Sequence, residues 1–154
     1  MNTQRRQTLQ GAAGIAVIAA AISAGMLPSD AAADWNKAAF DAKNMADVLK
    51  AMGGSAAEKS ADIVITAPDI AENGAVVPVA VASKIAGTQS ISILVEKNPS
   101  SLAAEFDILP CTEANVGTRV KMCQSSNIHA VVKAGGKYYV ATKEVKVTLG
   151  GCGG

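Results

Sequence analysis

The chain holds three cysteines, Cys111, Cys123 and Cys152, and a single histidine, His129. Thiols offer two kinds of chemistry: they close disulfides, and as nucleophiles they hold a transferred group in covalent linkage. Cys152 stands near the end of the chain in the segment LGGCGG, between Gly150 and Gly151 on one side and Gly153 and Gly154 on the other. Glycine has no side chain to pack and loses the most conformational freedom on ordering, so four of them around one thiol stabilise nothing. Such a tail suits reach, because the three peptide steps from Leu149 to Cys152 span roughly 10 Å at about 3.5 Å each. Free of side chains it can thread a narrow channel. Ordering it costs roughly 1–2 kcal/mol per residue, which weakens each complex it enters and assists release.

The other constellations that do chemistry are missing. The cysteines form no CxxC and have only His129 to join them, so no metal site is assigned. His129 alternates with Ile128 and Ala130, which reads as a surface or packing position on a strand, and no Ser/His/Asp or Cys/His arrangement follows from spacing. No glycine-rich loop links a strand to a helix as a phosphate cradle would. No catalytic residue is assigned and the protein is not expected to be an enzyme by itself. An odd cysteine count in an exported chain leaves one thiol unpaired within it. Cys111 and Cys123 flank a segment with Gly117 and are expected to pair, which a short closed loop makes worth about 3 kcal/mol. That leaves Cys152 free, and a bridge from Cys152 to either of the others would remove its carrier role. Between Leu149 and Gly154 there is no Lys, Arg, His or helix N-terminus to favour a thiolate. The terminal carboxylate of Gly154 disfavours it, so the thiol of free Cys152 is expected to titrate at or above the ordinary value of about 8.5.

The elements that must position this tail follow a leader. Residues 1–33 open with a basic QRRQTLQ, continue as a small apolar run from Gly11 to Leu27 and end in PSDAAA, with the small residues of a signal-peptidase site at Ala31 and Ala33. The run is shorter than the roughly 20 residues of a membrane span, so no anchor is expected after cleavage. Arg5 and Arg6, with Leu9 after them, suggest the twin-arginine export route. Gln4, Thr8 and Gln10 depart from that pattern, so the ordinary secretory route is the alternative. With Arg5, Arg6 and Asp30 removed, the remaining basic and acidic residues balance. A neutral chain with one Trp, two Tyr and two Phe has neither the basic patch nor the stacking platforms that nucleic acid requires.

From Asp34 to Met52 the residues Trp35, Ala38, Ala42, Met45, Leu49 and Met52 recur at three-to-four spacing, which predicts one amphipathic helix ended by Gly53-Gly54. Seven β-rich runs follow: DIVIT, AVVPVAVA, SISILVE, AAEFDIL, GTRVKM, NIHAVV and KYYVATKEVKVTL. They predict a mainly β fold, an antiparallel β-sandwich of about seven strands with an N-terminal helix, over residues 34–149, followed by a tail of residues 150–154. Asn73-Gly74 and Gly135-Gly136 are expected to be tight hairpin turns. Pro78 places its strand at an edge or at a bulge. Val145, Val147 and Leu149 alternate with Lys146 and Thr148, which puts one face in the core and sends the end of the strand, with Cys152, outward.

The terminal GGCGG preceded by EVKVTL, the twin-arginine-like leader and the segment IAENGAVVPVAV at Ile70 to Val81 together resemble the SoxY family, the sulfur carriers of the Sox thiosulfate-oxidising system. The likeness runs from the leader to the last residue, and the GGCGG is specific through its position at the carboxy terminus. The resemblance implies an immunoglobulin-like sandwich in the periplasm whose cysteine, Cys152 here, holds sulfur covalently on a swinging arm of Gly150, Gly151, Gly153 and Gly154. It implies no cofactor other than that sulfur. It implies a SoxZ-type partner subunit in a heterodimer or higher oligomer, a c-type cytochrome that loads thiosulfate, a manganese-containing thiosulfohydrolase and, in many systems, a sulfane dehydrogenase. The pairing of Cys111 with Cys123 is not part of the family motif. The competing reading is a secreted β-sandwich interaction module that uses Cys152 for an intermolecular disulfide.

Overall fold

The computed structural model describes residues 35–151. The leader, with Arg5 and Arg6, and the residues Cys152, Gly153 and Gly154 lie outside the described residues. The chain divides into two units, Met1–Trp35 and Asn36–Gly154, and the second is described below.

Nine strands are described: β1 (Glu58–Lys59), β2 (Ile63–Thr66), β3 (Ile70–Asn73), β4 (Val77–Ser83), β5 (Thr88–Val95), β6 (Leu102–Asp107), β7 (Asn115–Val120), β8 (Ser126–Ala134) and β9 (Lys137–Leu149). All seven expected runs are strands, and the last coincides with the run KYYVATKEVKVTL from end to end. The two additional ones, β1 and β3, are short, and both run parallel to β9 along its outer edge. The fold is therefore mainly β but not purely antiparallel. One sheet has the order β1-β9-β8-β5-β6, with β3 also on β9; the other is β2-β4-β7.

The two sheets close on one core. Ile63, Val77, Val79 and Val81 from the smaller sheet meet Ile91, Ile93, Val95, Ile128, Ala130, Val132 and Val145 from the larger one. Alternate residues of β5, β8 and β9 point the other way, and there Leu94, Val131, Tyr138 and Val140 pack under Ala39, Val48 and Leu49. That second layer explains why every residue of β5 from Ser90 to Val95 is buried although a two-layer sandwich would bury only alternate ones.

The covering layer is two helices, not one. α1 (Lys37–Asp41) and α2 (Met45–Ala51) are separated by extended backbone at Ala42. The break has a tertiary cause. Carbonyls that a continuous helix would use internally are taken by the loop before β6: Ser100 Oγ donates to the Phe40 carbonyl, Ser101 N–H to Ala42 and Ser101 Oγ to Lys43. Asn36 and Asn44 then cap the two helices by accepting from the Ala39 and Asp47 N–H groups. The expected glycine stop holds, with Gly53 at φ +84°.

Of the expected turns, Gly135-Gly136 has φ of +57° and +76° and joins β8 to β9 as a two-residue hairpin. Asn73-Gly74 does not form a hairpin, since β3 pairs with β9 while β4 lies in the other sheet, and the chain crosses between sheets there. Pro78 is in a central strand and not at an edge. β2 pairs only with Ala80 to Ser83, so the stretch around Pro78 is hydrogen-bonded to β7 alone and its missing N–H is tolerated.

Candidate functional site

Three distant segments converge where β9 ends. They are the β3–β4 crossover at residues 73–75, the β7–β8 loop at residues 121–125, and the chain from Leu149 to Gly151. Their backbones interlock: Gly74 N–H donates to the Leu149 carbonyl (2.7 Å), Met122 N–H to the Gly74 carbonyl (2.7 Å) and Gly151 N–H to the Met122 carbonyl (2.8 Å). Glycine is required at this junction because the backbones touch. A Cβ on Gly74 would fall on the Met122 carbonyl, one on Gly150 on the Cys123 carbonyl, and one on Gly151 would lie 2.5 Å from Ala75 N and the Gly74 carbonyl group.

Side chains hold the frame. β8 starts at Ser126, so beyond Val145 it no longer covers β9; Ser125 Oγ substitutes by accepting from Val147 N–H at 2.8 Å. On the other edge Thr148 Oγ1 donates to the Glu72 carbonyl at 2.9 Å, alongside the β3 pairing of Asn73 with Leu149. The loop carrying Cys123 is clamped by Asn98, whose Nδ2 donates to the Lys121 carbonyl (2.7 Å) and whose Oδ1 accepts from the Cys123 N–H (3.1 Å). Met122 is fully buried in the core, which fixes the residue beside Cys123. Asn98→Ala removes both loop bonds and is expected to lower stability by about 1–2 kcal/mol, readable as a shift in the denaturant midpoint at unchanged m-value.

The tail therefore does not leave the sandwich as its alternation implies. Val145 is buried and Val147 half-buried, but Leu149 is 71% exposed. The chain then turns back through Gly150 and Gly151 onto the neighbouring loops instead of continuing outward. The two arm glycines that are described are docked. Cys152, Gly153 and Gly154 lie outside the described residues.

The cysteine pairing also needs correction. Cys123 is disulfide-bonded, but Cys111 is a free, exposed thiol, so the expected Cys111–Cys123 bridge does not form. The reason is that Gly117, taken as a turn, lies inside β7 opposite Ala80. Cys111 precedes that strand and Cys123 follows it. The six residues Asn115–Val120 separate the two by about 20 Å at about 3.3 Å per residue, against roughly 4.4–6.8 Å between the Cα atoms of a disulfide.

His129 sits on the helix-side face of β8, with Nδ1 2.9 Å from Thr142 Oγ1 and Nε2 3.7 Å from Glu96 Oε2. It joins Thr142 and Glu96 in a surface network and makes no hydrogen bond to the junction segments. No cluster of metal-ligating side chains occurs among the described residues. Sequence reasoning missed Gly74, Asn98 and Met122 as parts of this site. The Asn73-Gly74 pair was visible as a signal, but its use, a close backbone approach, was not.

Comparison with known proteins gives a consistent result. The family model described as sulfur oxidation protein SoxY matches residues 48–152. Among solved structures, the sulfur carrier protein SoxY from Chlorobium limicola f thiosulfatophilum is 47% identical, with a TM-score of 0.61, covering 67% of this chain and 94% of that one. A structure of toxic shock syndrome toxin-1 aligns at 13% identity, with a TM-score of 0.37, over 55% of this chain and 98% of that one; likeness at this level carries no argument. No curated protein sequence matches the chain.

Proposed function

The chain belongs to the SoxY family, and from that premise we propose that it is a periplasmic sulfur carrier which holds thiosulfate-derived sulfur on Cys152 and presents it to separate enzymes of thiosulfate oxidation. The observation that carries this reading is the family match extending to residue 152, the cysteine of the terminal GGCGG. The chemistry agrees: a sulfur atom bound through an S–S bond to a cysteine is stable enough to travel and is released by attack at sulfur.

On this reading the protein contributes no catalytic group. The partner enzymes supply the base, the metal and the oxidant; here they are a c-type cytochrome, a manganese-containing thiosulfohydrolase and, in some systems, a sulfane dehydrogenase, with a SoxZ-type subunit bound alongside. The tail must come off its docking place to enter their pockets. The tail is held at the junction by backbone hydrogen bonds at the Leu149 carbonyl and the Gly151 N–H, each with a net worth of about 1 kcal/mol, so undocking is accessible while the sandwich stays folded.

Mass spectrometry of the full chain purified without reductant tests the assignment. Additional sulfur, or sulfur with oxygen, is expected on the peptide containing Cys152. A chain recovered only as a reduction-sensitive dimer through Cys152, with no adduct, would instead establish the interaction-module reading. The thiol itself is expected to be inert until it is placed in a partner's pocket. Alkylation of Cys152 in the reduced chain should accelerate with pH up to a midpoint at or above the ordinary thiol value of about 8.5, because no Lys, Arg or His stands between Leu149 and Gly154 to favour the thiolate. A midpoint below neutrality would show activation within the chain.

A further inference from the structure

The two sheets differ in what covers their outer faces. Residues of α1 and α2 pack over the larger sheet, whereas the smaller one is left exposed at Val64, Pro78, Gly117 and Arg119. Along β4 the side chains of Val77, Val79 and Val81 go into the core, so Pro78, Ala80 and Ala82 point away from it. Short side chains there leave a trough of about 570 Å³ between Pro68, Pro78, Ala80, Gly117 and Arg119. Its end is set by two prolines. Continued by two residues beyond Thr66–Ala80, the β2–β4 register would bring Pro68 opposite Pro78, and neither has an N–H to pair.

This face runs to the tail junction. Val77 pairs with Val120, and the residues just beyond that pair, Val76 and Lys121, are exposed, Val76 to 54%. Ala75 follows, with Gly151 seated against it and Gly74. Arg119 and Lys121 stand two residues apart at this end, and neither is in an ion pair among the described residues. Asp69, which follows Pro68, is held by Lys143 at 3.0 Å and so does not neutralise them. Uncompensated positive charge therefore borders a small apolar floor.

We propose that this face is the docking surface for the enzyme that takes the tail, and that the enzyme it fits carries carboxylates around the mouth of its pocket. The inference rests on the carrier reading and adds to it the residues that recognise the enzyme. Cys152 is three peptide steps, roughly 10 Å, from Leu149, so an enzyme that reacts with it has to rest about that close to the junction. The neighbouring surface along β3 and the end of β9 carries Glu72 as well as Lys146, opposite charges that give it little to steer with. Charge complementarity on the smaller sheet speeds encounter, and a floor of proline, alanine and glycine buries little side-chain area, so the complex forms fast and parts readily. A permanently bound subunit requires a larger and more apolar face.

The test is steady-state cleavage of the sulfur-loaded full chain by the thiosulfohydrolase. For the natural chain KM is expected to rise between about 0.05 and 0.3 M sodium chloride, as screening weakens the attraction. With Arg119→Glu and Lys121→Glu together, KM at the lower salt should rise about tenfold or more at unchanged kcat, and added salt should no longer raise it. Lys84→Glu with Lys137→Glu makes the same change in net charge at the ends of β4 and β9 away from the junction, and should leave KM within about twofold. All four side chains are exposed, so both variants should keep the melting temperature and the rate of Cys152 alkylation by iodoacetamide. Equal KM for the natural chain and the Arg119/Lys121 variant overturns the docking face and leaves the carrier reading standing. An equal rise in the Lys84/Lys137 variant also overturns it, because overall charge would then be the cause. Loss of co-purification with the SoxZ-type subunit in the Arg119/Lys121 variant would give the face to that subunit and overturn the inference in the same way. A natural chain that takes no sulfur on Cys152 ends the carrier reading, and the inference with it.

Discussion

Replacing Cys152 by serine is expected to abolish covalent sulfur loading completely and to reduce thiosulfate consumption in a mixture reconstituted with the partner enzymes to the level seen without this chain. A serine hydroxyl forms no S–S bond, and no other described group can substitute. Cys111 is a free thiol but lies at the opposite end of β7 from the tail, and it has no glycine arm to carry it. The variant should fold normally: compared under reductant, its melting temperature should match that of the natural chain. Intact mass after incubation with a thiosulfate-loading system and direct assay of thiosulfate give the two readouts. Retained consumption would remove Cys152 from the mechanism.

The largest effect on stability is expected from Gly74→Ala. Gly74 is buried, its N–H and carbonyl are both engaged at 2.7 Å, and a Cβ there would meet Met122 O, with Gly151 N and Val147 Cγ1 each at 2.8 Å. Two of those three neighbours are backbone atoms, which cannot swing aside as a side-chain tip would. The junction must open, at a cost of about 1–3 kcal/mol for the steric insertion and about 1 kcal/mol for each hydrogen bond lost. Calorimetry should show a drop of several degrees in Tm. Gly117→Ala is the control, because nothing lies within 4 Å of its added Cβ, and it should change stability by less than about 0.5 kcal/mol. Amide exchange at Gly151 should accelerate in the first variant and not in the second.

These two expectations draw on different sources. Cys152 stands out in the sequence because its surroundings are compositionally odd, and composition can be read without a fold. Gly74 does not. Its neighbours Asn73 and Ala75 make it look like part of a hairpin, and only the crossover of β4 to the other sheet reveals that its missing side chain makes room for the tail. The same holds for the helical region. Its apolar spacing predicts one helix, and Asn44 is an ordinary surface residue within it, until Ser100 and Ser101 are seen to take the carbonyls that the helix would need.

What the sequence determined by itself is whatever depends on neighbours a few residues away. The alternation of β9, the Gly135-Gly136 turn, the Gly53 stop and the placement of a lone thiol among glycines at the chain end are local properties, governed by backbone sterics and side-chain period. What the tertiary structure alone decided is whatever depends on segments that meet from afar. The parallel strands β1 and β3, the second buried face of β5, the separation of Cys111 from Cys123 by β7 and the docking of Gly150 and Gly151 all belong here. Close approach of backbones from three parts of a chain leaves no periodic mark in any of them, so no window of sequence could show that the carrier tail comes to rest on Cys123.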